Sequence, residues 1–167
     1  MHLREPQTQT LQAIPDGVAG IEATLAHMMD YVREYKKDPQ VRGLARELTL
    51  SLPQKHFSGE VEALFEFVRD EIRYLWDIAD VETLQTPVVT LENQSGDCDD
   101  KATLLAALLE SIGHKTRFVA AGFQPGQYEH VFLETKIGNN WIALDPTEPV
   151  PMGWTPPGMR ARMVRHN

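Results

Sequence analysis

The hydrophobic period of this chain changes once, and the change limits the folds open to it. Through Tyr74 the apolar residues recur every three or four positions, which is helical spacing. From Thr116 to Asp145 they alternate, which is strand spacing. Helices followed by a run of strands point to an α+β domain rather than to a bundle or a barrel. The first helix is predicted from about Val18 to Lys36, capped by Asp16, with Ile21, Leu25, Met28, Met29 and Val32 on one side. Asp38-Pro39 opens a second carrying Val41, Leu44, Ala45 and Leu48. Ser58 is placed to cap a third, with Val61, Leu64, Phe65, Val68 and Ile72 at helical spacing. Trp76 to Ser95 reads as loop with short extended pieces, including Pro87-Val88-Val89. A fourth helix then runs from Cys98 to Ile112 and stops at Gly113. Strands follow at Thr116–Ala121, Glu129–Lys136 and Trp141–Asp145, the last two joined through Gly138-Asn139-Asn140. Residues 1–15 read as a loose arm, and the proline-rich tail from Pro146 as irregular chain.

With 167 residues the chain is most simply one domain. Its net charge of −8 argues against a nucleic-acid binder, which must neutralise phosphates with Lys and Arg. No apolar run is long enough for a membrane span, and the N-terminus shows no secretory leader. A single cysteine rules out an internal disulfide and any zinc site built on paired cysteines. These features point to the cytoplasm, with no metal and no cofactor.

That lone cysteine, Cys98, follows Gly96-Asp97 and opens a helix. Most isolated cysteines are small buried hydrophobes. Here Asp97, Asp99 and Asp100 make a poor setting for one. The first turn of a helix offers free N–H groups and the positive end of the dipole, which favour a thiolate and can hold an oxyanion. The three aspartates oppose the thiolate by like-charge repulsion. Thiol catalysis also needs a base and a group that orients it. Of six histidines only His130 lies within an alternating strand. A two-residue turn at Gly138-Asn139 pairs Ile137 with Asn140 and sets Asp145 opposite Phe132, on the His130 face. A turn at Ile137-Gly138 sets Asp145 opposite His130 itself, and a three-residue loop sends it to the wrong face unless a bulge corrects it. A metal site on His130 and nearby acids lacks a spaced His/Cys pair.

Together the segments Gly96-Asp97-Cys98-Asp99-Asp100-Lys101-Ala102, Leu104 to Gly113, Glu129-His130-Val131-Phe132 and Trp141 to Thr147 resemble the core of the transglutaminase-like superfamily. Phe67 to Tyr74 is similar to the helix preceding that core. The resemblance covers residues 61–148, leaving 1–60 as an N-terminal arm with helices packed on the core and 149–167 as the tail. It implies a papain-like α+β fold, with the cysteine helix packed on an antiparallel sheet. It implies Cys98 as nucleophile, His130 as base and acid, and Asp145 as its orienting group. The implied chemistry is acyl transfer on protein or peptide amides through a thioester, with hydrolysis favoured over crosslinking. Gln85 is the first candidate for a side-chain oxyanion donor, ahead of Trp76 and Gln94. The compact form resembles bacterial and phage members. A non-catalytic binding module that kept the fold is the alternative. The enzymatic reading predicts that Cys98 reacts with iodoacetamide near neutral pH faster than free cysteine, and that His130→Ala removes the excess.

Overall fold

A computed structural model describes residues 8–10, 17–76 and 83–167. The proposed cap Asp16 and most of the N-terminal arm lie outside them. Three helices come early: α1 (Val18–Tyr35), α2 (Pro39–Thr49) and α3 (Phe57–Glu71), preceded by a short strand β1 (Thr8–Thr10). Asp38 caps α2 as its sequence suggests, its Oδ1 accepting from Gln40 N at 2.9 Å and Val41 N at 3.3 Å. At α3 the cap position falls on His56, and Ser58 already lies inside the helix.

The stretch expected to be loop holds more structure. After β2 (Arg73–Tyr74) and β3 (Thr83–Gln85), Pro87-Val88-Val89 opens a helix, α4 (Pro87–Asn93), where extended chain was predicted. Thr86 Oγ1 accepts from Val89 N at 3.3 Å, and Pro87 occupies the first turn, where its missing N–H costs nothing. The β-branched pair Val88-Val89 disguises a cap that follows the same rule as Asp38-Pro39. β3 pairs with β1, so residues 8–10 of the expected loose arm are held in a two-stranded ribbon.

The next strand, β4 (Ser95–Gly96), runs parallel to β2 and leads into α5 (Cys98–Ser111). The sequence marks an apolar stripe on α5, but the helix is buried all round from Asp100 to Leu109. It packs against α1, α2, α3 and α4 on one side and the sheet on the other. That sheet is antiparallel in the order β7-β6-β5-β8, built from β5 (Thr116–Gly122), β6 (His130–Ile137), β7 (Asn140–Leu144) and β8 (Ala161–His166). β8 corrects the expectation of an irregular tail: after the prolines, residues 161–166 return and pair with β5, Val164 opposite Val119. Phe118, Ala120, Val131, Leu133 and Leu144 face α5. Val119, Ala121, Phe132 and Ala143 form a smaller cluster on the outer face. The mixture of helices with an antiparallel sheet is the α+β arrangement expected. No helix among the described residues is long and apolar enough to cross a membrane.

Candidate active site

The turn before Cys98 is fixed by carboxylates. Asp97 Oδ1 accepts from Asp100 N at 3.0 Å, and Asp100 Oδ2 accepts from Asp97 N at 3.1 Å, a reciprocal cap on α5. Gln85 clamps the same aspartate from β3: its backbone N donates to Asp100 Oδ1 at 2.8 Å and its Nε2 to Asp100 Oδ2 at 2.9 Å. Nε2 also donates to Ser95 O at 3.0 Å, and Asn93 Nδ2 donates to Gln85 Oε1 at 2.8 Å. Both amide hydrogens of Gln85 are therefore committed, and none is left for an oxyanion. The geometry makes Gln85 a brace for the turn instead of the expected donor. Burial raises the Asp100 carboxyl, against the lowering effect of these bonds. Gly96 is required by crowding: a Cβ there would stand 2.6 Å from Asp100 Cβ. Of the other oxyanion candidates, Trp76 is 84% exposed beside Tyr74, and Gln94 ends α4 in a left-handed conformation.

Cys98 is partly exposed at the first position of α5. Burial pushes its thiol well up, and the Asp99 and Asp97 carboxylates push it further. The thiol donates to Asp99 Oδ1 at 3.6 Å, while the Val131 backbone N–H, donating to Sγ, works the other way. The sequence offered dipole and aspartates as opposing influences; in the folded chain burial joins the aspartates in raising the thiol. These influences favour the thiol over the thiolate.

The Val131 contact follows from the sheet. Lys136 N donates to Lys115 O, so the even-numbered residues of β6 bond to β5 and the odd-numbered ones face β7. The β6–β7 pairing ends at Leu133 opposite Leu144, one odd-numbered position short of Val131. Val131 N–H thus points past the end of β7, where the sulfur sits.

His130 immediately precedes it. The hairpin turns at Gly138-Asn139, with Ile137 opposite Asn140, which is the first of the registers considered above. Asp145 then falls diagonal to His130, and Nε2 meets Asp145 Oδ2 at 2.7 Å. Asp145 is fully buried, and its Oδ1 accepts from Thr147 N at 3.1 Å and Thr147 Oγ1 at 2.6 Å. Burial would disfavour charge on both groups. For His130 the Asp145 bond and charge outweigh burial and raise its pKa; for Asp145 the His130 and Thr147 bonds outweigh it and lower its pKa. A neutral ring that donates from Nε2 carries its lone pair on Nδ1. Phe132 stacks on the imidazole, with centroids 6.3 Å apart. The fold thus brings His130 and Asp145 into a hydrogen bond and sets Cys98 Sγ on the amide that follows His130.

Two participants were not read from the sequence. Thr147 buttresses Asp145 through an Asx-type turn, for which Asp145-Pro146-Thr147 is the local signal. Lys101 is buried in α5, its Nζ donating to Ile72 O at 2.5 Å and Arg69 O at 3.3 Å at the end of α3. A charged residue inside an apolar helix was its only mark. Among the described residues no cluster of His, Cys, Asp and Glu is arranged to hold a metal ion.

The family model for the transglutaminase-like superfamily matches residues 42–146. No curated protein matches the sequence. Among solved structures, one from Cytophaga hutchinsonii, described as a candidate cysteine protease, superposes with a TM-score of 0.54 at 18% identity. That match covers 84% of this chain and 52% of the other. A candidate protease from Parabacteroides distasonis superposes with a TM-score of 0.56 at 13% identity, over 78% of this chain and 26% of the other. The chain thus spans about half of the first and a quarter of the second. At these identities the likeness is one of fold.

Proposed function

This chain belongs to the transglutaminase-like superfamily, and we propose that it carries out thiol-dependent acyl transfer on protein or peptide amides with Cys98, His130 and Asp145. The observation that carries the reading is the His130–Asp145 bond at 2.7 Å, one residue from the N–H that meets the Cys98 sulfur. His130 Nδ1 takes the thiol proton as Sγ attacks the amide carbonyl carbon. Asp145 holds the ring and offsets the charge it gains. The Cys98 N–H, at a helix position with no intrahelical acceptor, is aimed at the developing oxyanion. Collapse breaks the C–N bond, and the imidazolium returns its proton to the leaving amine. Water then attacks the thioester while His130 takes its proton, releasing the acid and restoring the thiol. Hydrolysis is favoured over crosslinking because water needs no second docking site.

A resting thiol changes what a test must look for. Fast alkylation by iodoacetamide near neutral pH requires a preformed thiolate, which burial and the aspartates disfavour. The better probe is a peptidyl acyl electrophile, which engages sulfur and imidazole together. Labelling of Cys98, lost in His130→Ala while the fold persists by circular dichroism, is expected. Labelling spread over other nucleophiles, or equal rates in the two proteins, would overturn the reading. The raised thiol is also what favours the second reading, a binding module that kept the fold; a folded, unlabelled wild type is its signature.

A further inference from the structure

At the end of α5 opposite Cys98, roughly 20 Å away by helix rise, a cleft of about 330 Å³ opens between helix and sheet. Phe57, Ile112 and Ile137 supply the apolar part of its lining, and Phe57 is 51% exposed. His114 is buried in the wall, edge-on to Phe57 and bonded to Glu60 at 3.1 Å. Lys115 and Lys136 line the same cleft.

The two lysines are placed against each other. Lys136 N donates to Lys115 O at 3.0 Å, one step beyond the Thr116–Thr135 pair, so the residues stand directly opposite across β5 and β6. Opposed side chains share a face, and like charges there are destabilising. Both are exposed, and neither has an ion-pair partner among the described residues. The next basic residue along β5, Arg117, is taken up by Glu134. Other exposed cations among the described residues also lack an ion pair, but these two stand opposed on one face and line the same cleft as Phe57, Ile112 and Ile137.

We propose that this cleft binds an acidic segment of a polypeptide, with an apolar side chain in the cleft and carboxylates on Lys115 and Lys136. A bound acid relieves the lysine repulsion, and an apolar side chain in the cleft covers the part of the Phe57 ring that His114 leaves exposed. A nucleic-acid strand fits less well, because two cations do not offset its repulsion from an acidic protein. The site is separate from the thiol and stands whether or not Cys98 is catalytic.

The test uses the full chain and fluorescence anisotropy. The probes are a fluorescein-labelled peptide with one leucine flanked by glutamates and its counterpart with glutamines. The acidic peptide is expected to bind about tenfold more tightly or better. Lys115→Gln with Lys136→Gln should erase that preference, Phe57→Ala should weaken both peptides, and Cys98→Ala should bind as wild type does. Circular dichroism melting shows whether each variant is folded. Equal affinity for the two peptides overturns the proposal. So does an undiminished preference in the folded double lysine variant, loss of binding in Cys98→Ala, or a single-stranded oligonucleotide that competes as well as the acidic peptide.

Discussion

Replacing Lys101 by methionine should change how the stability of this protein depends on pH. The side chain is 2% exposed, and its ammonium bridges from α5 to the last carbonyls of α3. Burial pulls its pKa from 10.5 down to about 8, while the Asp70 and Asp145 carboxylates act in the opposite sense. The fall corresponds to about 3 kcal/mol between the charged and neutral forms. The two carbonyls at the negative end of α3 also favour the ammonium, so this figure is a ceiling. In the unfolded chain the amine keeps its ordinary pKa. Between about pH 8 and about pH 10.5 the unfolded state therefore holds more protons, and stability from this group rises with pH. The penalty is complete below the folded value and gone above the unfolded one. Cys98 and Tyr31 act with the opposite sign, because their folded pKa values are raised and their stabilisation is lost at high pH. Both remain in Lys101→Met and largely cancel in the difference between the two proteins. Methionine is of similar length and fills the space without overpacking. Urea unfolding followed by circular dichroism, from about pH 7 to about pH 10.5, should show wild type gaining up to about 3 kcal/mol on the variant. A difference that stays flat across this range would refute the reasoning.

Asp145→Asn should lower the raised His130 pKa, seen by NMR titration of the imidazole, and slow acyl-probe labelling by about a hundredfold or more. The pair stabilises the folded chain below the unfolded histidine pKa and ceases to do so as pH rises through the folded one, so Asp145→Asn should flatten that part of the pH–stability curve. Gly96→Ala drives a Cβ to 2.6 Å from Asp100 Cβ and should cost about 1–3 kcal/mol in urea unfolding. Gly43→Ala, in the exposed interior of α2 with nothing within 4 Å, should stabilise by about 0.5–1 kcal/mol. Glu134 is buried between Arg117 and Arg162, at 2.6 Å and 2.7 Å; Glu134→Ala leaves both guanidinium groups uncompensated and should cost about 2 kcal/mol or more.

What could be read before folding was what depends on local period and on counting. Residue numbers narrowed the hairpin register without fixing it: turns at Gly138-Asn139 and at Ile137-Gly138 both put Asp145 on the face of His130, and the chain takes the first. The Asp38-Pro39 helix start needed one capping rule. Elements were missed where two local signals conflicted or where pairing came from far along the chain. Val88-Val89 favours extended chain, and seven residues of α4 are too few to show a helical period against it. β8 is a polar edge strand whose existence depends on β5, some 40 residues earlier, which no window over Ala161–His166 contains. The site shows the same division. Cys98 and His130 announce themselves by position, whereas the role of Gln85 is set by Ser95, Asn93 and Asp100, which fix both ends of its amide only once β3 and α5 have packed.

The acidic residues around Cys98 act in two opposed ways. Asp97 and Asp100 bond to backbone N–H groups and, with Gln85, hold the Gly96–Cys98 turn in place. The charge on Asp97 and Asp99, together with burial, makes the thiolate harder to form. A helix dipole is worth about 1 kcal/mol or less near a partly exposed group, too little to reverse this alone. In the proposed mechanism Asp145 acts on the other end of the proton transfer. By raising the affinity of His130 for a proton it narrows the gap that separates thiol with imidazole from thiolate with imidazolium. The acids at the helix start and the acid on the neighbouring strand therefore work against each other on one proton. Their balance is set by geometry: Asp145 touches the ring directly, whereas the acid that meets the sulfur, Asp99, does so through a long contact of 3.6 Å. Under the proposed mechanism the direct His130–Asp145 bond is what offsets the aspartates, so a thiol among acids is compatible with attack on an amide.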